Sequence, residues 1–185
     1  MKEPLKLGFT LAVFSVISCV SLAFVNSLTA PVIAEKKMTE SAVAMKQVFA
    51  EAKKFEPVEN FQNQNGSVVF KSVNLAKNKD GSILGVVVEA TGPTYDKALI
   101  LVGVDISYAV TGTAILELTD TPGFGQKAKE GGYMDQYRGK TFSDDFVVGK
   151  DIAVISGATI SAKGIAEIVK AAVIEGKAVI EENAK

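Results

Sequence analysis

The chain has 185 residues, 48% of them apolar, and a formal net charge of −1, which is room for one globular domain and an accessory element. The near-neutral balance argues against nucleic acid, which needs a basic face to neutralise phosphates. With no His, no Trp and a single Cys, Cys19, the chain cannot assemble a Ser-His-Asp or Cys-His nucleophile, a His-ligated haem, an internal disulfide, a zinc knuckle or an iron–sulfur cluster, so redox chemistry here would require an organic cofactor.

From Gly8 to Ala34 there are 27 consecutive residues without a charge. A helix of that length spans roughly 40 Å, enough to cross a bilayer core. The expected element is a transmembrane helix from Leu5 to about Leu28, within an anchor of residues 1–34. A cleaved signal peptide is the competitor, with Val32-Ile33-Ala34 as its cleavage site. The apolar region is about twice the usual signal length, and Pro31 lies close to the cut. Lys2 and Lys6 precede the span while Lys36, Lys37 and Lys46 follow it, so charge does not decide orientation. The short N-terminal flank favours translocation of the domain. Cys19, in mid-run, is expected to face lipid or to pack.

Pro31 suits the first turn of a helix or a kink. Met38, Ala42, Met45, Val48, Phe49 and Ala52 recur at spacings of three and four, predicting an amphipathic linking helix over 35–58 that ends before Pro57. Asn60 to Gly66 reads as a polar loop. Ser67–Ala76, Ile83–Ala90, Leu99–Ser107 and Thr113–Leu118 are short and rich in Val and Ile, which predicts strands. Asp80-Gly81 marks a hairpin turn. Phe146–Val148 and Ile152–Ile155 are further candidate strand pieces. From Ala162 onward Ile165, Ile168, Val169, Ala172 and Val173 make one apolar helical face, with Ser161 as the natural N-cap. The sum is an α+β domain over 59–185.

Two loops stand out. "TDTPGFGQK", Thr119 to Lys127, follows a strand and carries Gly123 and Gly125, which allow the main chain to approach a flat ligand closely. Phe124 offers a ring face. "SGATIS", Ser156 to Ser161, surrounds Thr159 with small residues beside a helix N-terminus. Free N–H groups and the positive dipole end favour phosphate there, with Lys163 adding charge. Taken singly, the first is also an ordinary tight turn and the second an ordinary capping sequence.

Together, the two motifs, separated by roughly thirty residues and placed behind one apolar helix, resemble the FMN-binding domain family, and within it the G subunits of Rnf-type electron transport complexes. "LVGVD" and "YMDQYRGK", Tyr133 to Lys140, extend the resemblance over most of the chain. It implies an antiparallel-type sheet with flanking helices. It also implies FMN joined to Thr159 through a phosphoester by a separate flavin transferase. The implied cofactor-binding set is Thr159 with Ser156, Gly157, Ala158 and Ser161, and Thr121, Pro122, Gly123, Phe124, Gly125 and Lys127 from the first loop, with no catalytic residue and no metal. The implied role is electron transfer inside a membrane complex that couples ferredoxin and NAD oxidoreduction to ion movement, with no complete activity alone. Partners would be the other subunits and the lipid bilayer, with the domain on the extracytoplasmic side of the inner membrane. Three departures stand against the family pattern. Asp120 replaces the usual Glu, "GPTYDK" (Gly92 to Lys97) replaces a Gly-Tyr-Gly turn, and a His before the first loop is missing. A C-type subunit of a sodium-pumping NADH:quinone reductase, a stand-alone flavoprotein and a non-redox membrane-anchored scaffold remain as alternatives.

Overall fold

The computed structural model describes residues 2–183; the outermost residues of the expected anchor and domain ranges, 1 and 184–185, lie outside them. The first element, α1 (Lys2–Val48), is one uninterrupted helix. It passes through Pro31, whose ring removes the N–H that would bond Ser27. Its large apolar side chains, Phe9, Phe14, Ile17, Leu22 and Phe24 among them, are exposed on all sides. Glu3–Val48 is long and apolar enough to cross a membrane. Residues 1–41 and 42–185 form two separate compact units.

The second unit is built on an antiparallel sheet of β1 (Lys54–Pro57), β2 (Gln64–Asn65), β3 (Val68–Lys77), β4 (Ile83–Pro93), β5 (Lys97–Asp105) and β6 (Val110–Leu118). The order is β1-β3-β4-β5-β6, with β2 paired to β3. The expected hairpin closes β3 to β4, with Gly81 at φ +82° and Asn78 N–H donating to Ser82 O at 2.9 Å. A long C-terminal helix, α2 (Thr159–Asn183), covers one face. Val86, Val88, Ala90, Ile100, Val102 and Val104 join Ile165, Ile168, Val169 and Val173 beneath it. The alternate residues Val87 and Leu101 face the opposite way, where Ala44, Val48, Phe49 and Ala52 cover them. Because both faces of β4 and β5 are buried, these strands read as continuous apolar runs rather than as alternating patterns.

The amphipathic helix expected over 35–58 is corrected in two respects: it is the end of α1, and it stops at Val48, with β1 lying inside its predicted range. The cause is tertiary. Val48 O accepts the Thr111 hydroxyl at 2.6 Å. Gly103 and Gly112, paired across β5 and β6, leave space for the chain to lie on the sheet. A Cβ on Gly103 would stand 2.9 Å from Val48 O, and one on Gly112 would stand 3.0 Å from it. Asn60–Gly66 contains the short β2.

The pieces at 146–148 and 152–155 amount to one bridge, Val148 to Ile152. Asp151 accepts the Phe146 and Val147 N–H groups at 3.0 and 2.6 Å, which turns that backbone inward, and Phe146 sits at φ +57°. Ser161 is not the N-cap. The helix begins two residues earlier, at Thr159, and Ser161 is buried.

Gly103→Ala should destabilise the chain by about 1–3 kcal/mol, the usual cost of forcing a methyl group into filled space. A urea denaturation midpoint within error of wild type would contradict that packing.

Candidate functional site

Both singled-out loops form the same kind of turn. In Thr121-Pro122-Gly123-Phe124, the Phe124 N–H donates to Thr121 O at 3.2 Å and Gly123 takes φ +78°. Pro followed by a positive-φ Gly is the pattern of a type II turn. In Ile155-Ser156-Gly157-Ala158, the Ala158 N–H donates to Ile155 O at 2.9 Å, again with Gly157 at φ +78°. The two turns touch. A Cβ on Gly157 would stand 3.2 Å from Cδ1 of Phe124.

Between them opens a pocket of about 540 Å³, lined by Tyr95, Thr121, Phe124, Gly125, Gly157, Ala158, Thr159, Ile160 and Ser161. That volume suits a cofactor-sized ligand. Seven of the eleven residues expected from sequence line it. Pro122 and Gly123 shape the first turn and Ser156 the second, without lining the pocket, and Lys127 does not line it either. Tyr95, from the Gly92–Lys97 stretch, and Ile160, from Ser156–Ser161, line it as well, although neither belongs to the expected set. Tyr95 is 68% exposed and Ile160 60% exposed. The signal for both is an apolar side chain at a place with nothing to bury it, a tight hairpin turn and the first turn of a helix. Phe124, 53% exposed, faces the same space.

The helix start supplies the polar side. Ala162 N–H makes the first intrahelical bond, to Ala158 O at 3.0 Å. The N–H groups of Thr159, Ile160 and Ser161 come before it and have no helical acceptor. Ala158, in the capping position, has no side-chain oxygen to offer them. Donors and dipole therefore converge beside the Thr159 hydroxyl, an arrangement suited to an anionic group.

Beneath the pocket lies Asp120, fully buried. Its Oδ1 accepts the Thr94 hydroxyl at 2.5 Å and the Asp96 N–H at 2.9 Å. Oδ2 has no well-aligned donor. It converges with Ser161 Oγ on the bare face of Gly125, where a Cβ would stand 2.5 Å from each. The two are in close polar contact rather than in a well-directed hydrogen bond. Burial pushes the Asp120 carboxyl up, but Ser161, Thr94 and the backbone of Asp96 and Tyr95 outweigh it and hold the group below the usual carboxylate range.

Residues 1–48 match the RnfG N-terminal region, and residues 95–174, from Tyr95 into α2, match the FMN-binding domain family. The chain is 31% identical over 183 residues to the G subunit of the Na⁺-translocating ferredoxin:NAD⁺ oxidoreductase complex of Acetobacterium woodii, covering 89% of this chain and 87% of that protein. The chain belongs to the G-subunit family of Rnf-type ion-translocating oxidoreductase complexes. The G subunit of the ion-translocating oxidoreductase complex of Escherichia coli K12 is 30% identical, with 93% of this chain and 90% of that protein aligned. NqrC of Shewanella oneidensis shares the fold, with a TM-score of 0.50 at 18% identity over 74% of this chain and 72% of its own. The pocket therefore lies within the segment that carries the FMN-binding domain.

A depressed carboxyl contributes stability above its ordinary pKa near 4, and this is lost as pH falls through the lower folded value. Asp120→Asn should therefore lower the urea midpoint at pH 7 and flatten part of its decline between about pH 5 and pH 2. A decline as steep as that of wild type would contradict the assignment.

Proposed function

We propose that this chain is the flavin-bearing electron-transfer subunit of its complex, with FMN joined through its phosphate to the Thr159 hydroxyl. The observation that carries this reading is the position of Thr159, at the uncapped start of α2, inside a pocket walled by Tyr95 and Phe124. The residues fit the group. Main-chain N–H groups of residues 159–161 would meet the phosphate. Tyr95, Phe124 and Ile160 would shelter the ring system from water, and Gly125 and Gly157 let the walls come close. Bound FMN supplies the one- and two-electron chemistry that the side chains lack.

Among the described residues no side chain hydrogen-bonds the Thr159 hydroxyl, and an alcohol is not acidic enough to react unaided at neutral pH. A separate flavin transferase would activate it. The names of the relatives support the wider setting: other subunits as electron donor and acceptor, ferredoxin and NAD at the ends of the route, and ion translocation by the complex. The exposed apolar α1 would anchor the chain in the inner membrane, with the domain on the extracytoplasmic side. The likeness to NqrC is one of fold alone, and the G-subunit relatives favour the Rnf assignment over the quinone reductase.

The test is to produce the 185-residue chain with a flavin transferase, denature it and view the gel under flavin excitation. The wild-type band should fluoresce, Thr159→Ala should be dark, and the peptide containing Thr159 should gain the mass of one FMN less one water. A dark wild-type band with that peptide at its unmodified mass would overturn the reading.

A further inference from the structure

We propose that Asp120 is a positioning residue: its buried carboxylate joins two walls of the pocket, the β4–β5 turn with Tyr95 and the first turn of α2 with Thr159, and its main chain ties the third, the loop Thr121–Gly125. These walls come from different segments of the chain, and the β4–β5 turn is weakly tied on its own. The β4–β5 turn has one internal main-chain bond, Thr94 N–H to Asp96 O, and it is 3.4 Å long, at the weak end of the range. Its two stronger ties both end on Asp120 Oδ1. The loop is tied by the main chain of the same residue, since Asp120 O accepts the Gln126 side-chain amide at 3.0 Å. Towards α2, Oδ2 and Ser161 Oγ approach each other across Gly125, and any side chain there would occupy the space between them. Tyr95 and Thr159 are thus both linked to Asp120 through their neighbours, Thr94 and Asp96 on one side and Ser161 on the other.

A buried carboxylate is costly unless several donors compensate it. Here the Thr94 hydroxyl and the Asp96 N–H come from the β4–β5 turn and the Ser161 hydroxyl from α2, so compensating the charge requires those two walls to be in place together. The carboxylate is too enclosed to touch a ligand, and its effect on the cofactor would pass through Tyr95 and the start of α2. The consequence for FMN rests on the Thr159 reading; the clamp itself does not.

Two measurements separate them. Hydrogen exchange is followed on the unloaded 185-residue chain in detergent. Asp120→Ala should speed exchange roughly tenfold at residues 94–96 and again at 162–164, with β4 and β5 amides near their wild-type rates, as expected for local opening. Thr94→Val should loosen only the first segment and Ser161→Ala only the second, which keeps the test valid if the Ala variant fails to fold. Exchange unchanged in both segments, or accelerated equally throughout the sheet, would overturn the clamp. In the presence of flavin transferase, Asp120→Ala should also show flavin fluorescence per chain lowered about threefold, and loading equal to wild type would overturn the proposal. A dark wild-type band would defeat the Thr159 reading while the exchange pattern still decides the clamp.

Discussion

The position of the pocket depends on how closely α2 approaches the β4–β5 hairpin. At Gly164 the helix touches the hairpin end without a side chain, and a Cβ there would collide with Pro93 O and lie 2.7 Å from Thr94 Cα. Further along the helix, Gly176 rests on Val86 and Val104 in the same way. Between them, Ala166 and Ala172 are buried. A helix with larger side chains on this face would ride several ångströms further from the strands. Its first N–H groups would then no longer share a cavity with Tyr95 and Phe124. Close packing and the placement of donors are therefore one property of the chain.

The same economy of side chains recurs at the pocket itself. Gly125 leaves room for Asp120 and Ser161, and Gly157 leaves room for the Phe124 ring. The volume that these residues omit is occupied by polar contacts beneath and by an aromatic wall above. Polar groups supply direction at the base, and exposed rings supply a surface that water covers poorly. Main-chain donors at a helix start then face a site from which much of the competing solvent can be displaced.

Much of this was readable from the residues, and the failures have physical causes. The four long strands and the terminal helix were evident because Val and Ile runs and the 3.6-residue period act locally. The end of α1 was misplaced because a hydroxyl on β6 and two glycines, all remote in sequence, decide where the helix stops. Ser161 has the chemistry of a capping residue, yet its hydroxyl is turned to Asp120, and the helix starts with Ala158 in the capping position. Thr159 and Phe124 were evident as parts of short motifs. Tyr95 was hidden because its significance depends on β4 running on to Pro93, which carries the turn to the mouth of the pocket. Asp120 stood out in the sequence only as an unusual neighbour of Thr-Pro-Gly, since nothing local reveals that Thr94 and Asp96 fold back onto it.

Adjacent residues of β4 and β5 point to different partners: Val86, Val88, Ile100 and Val102 to α2, Val87 and Leu101 to the segment around Val48. Heredity can therefore alter the two sides at different tempos. Substitutions at Val86 and Val88 would be judged by the seating of α2, and one at Val87 by how the segment around Val48 packs on the sheet. A lineage could remodel its attachment while leaving its cofactor chemistry untouched.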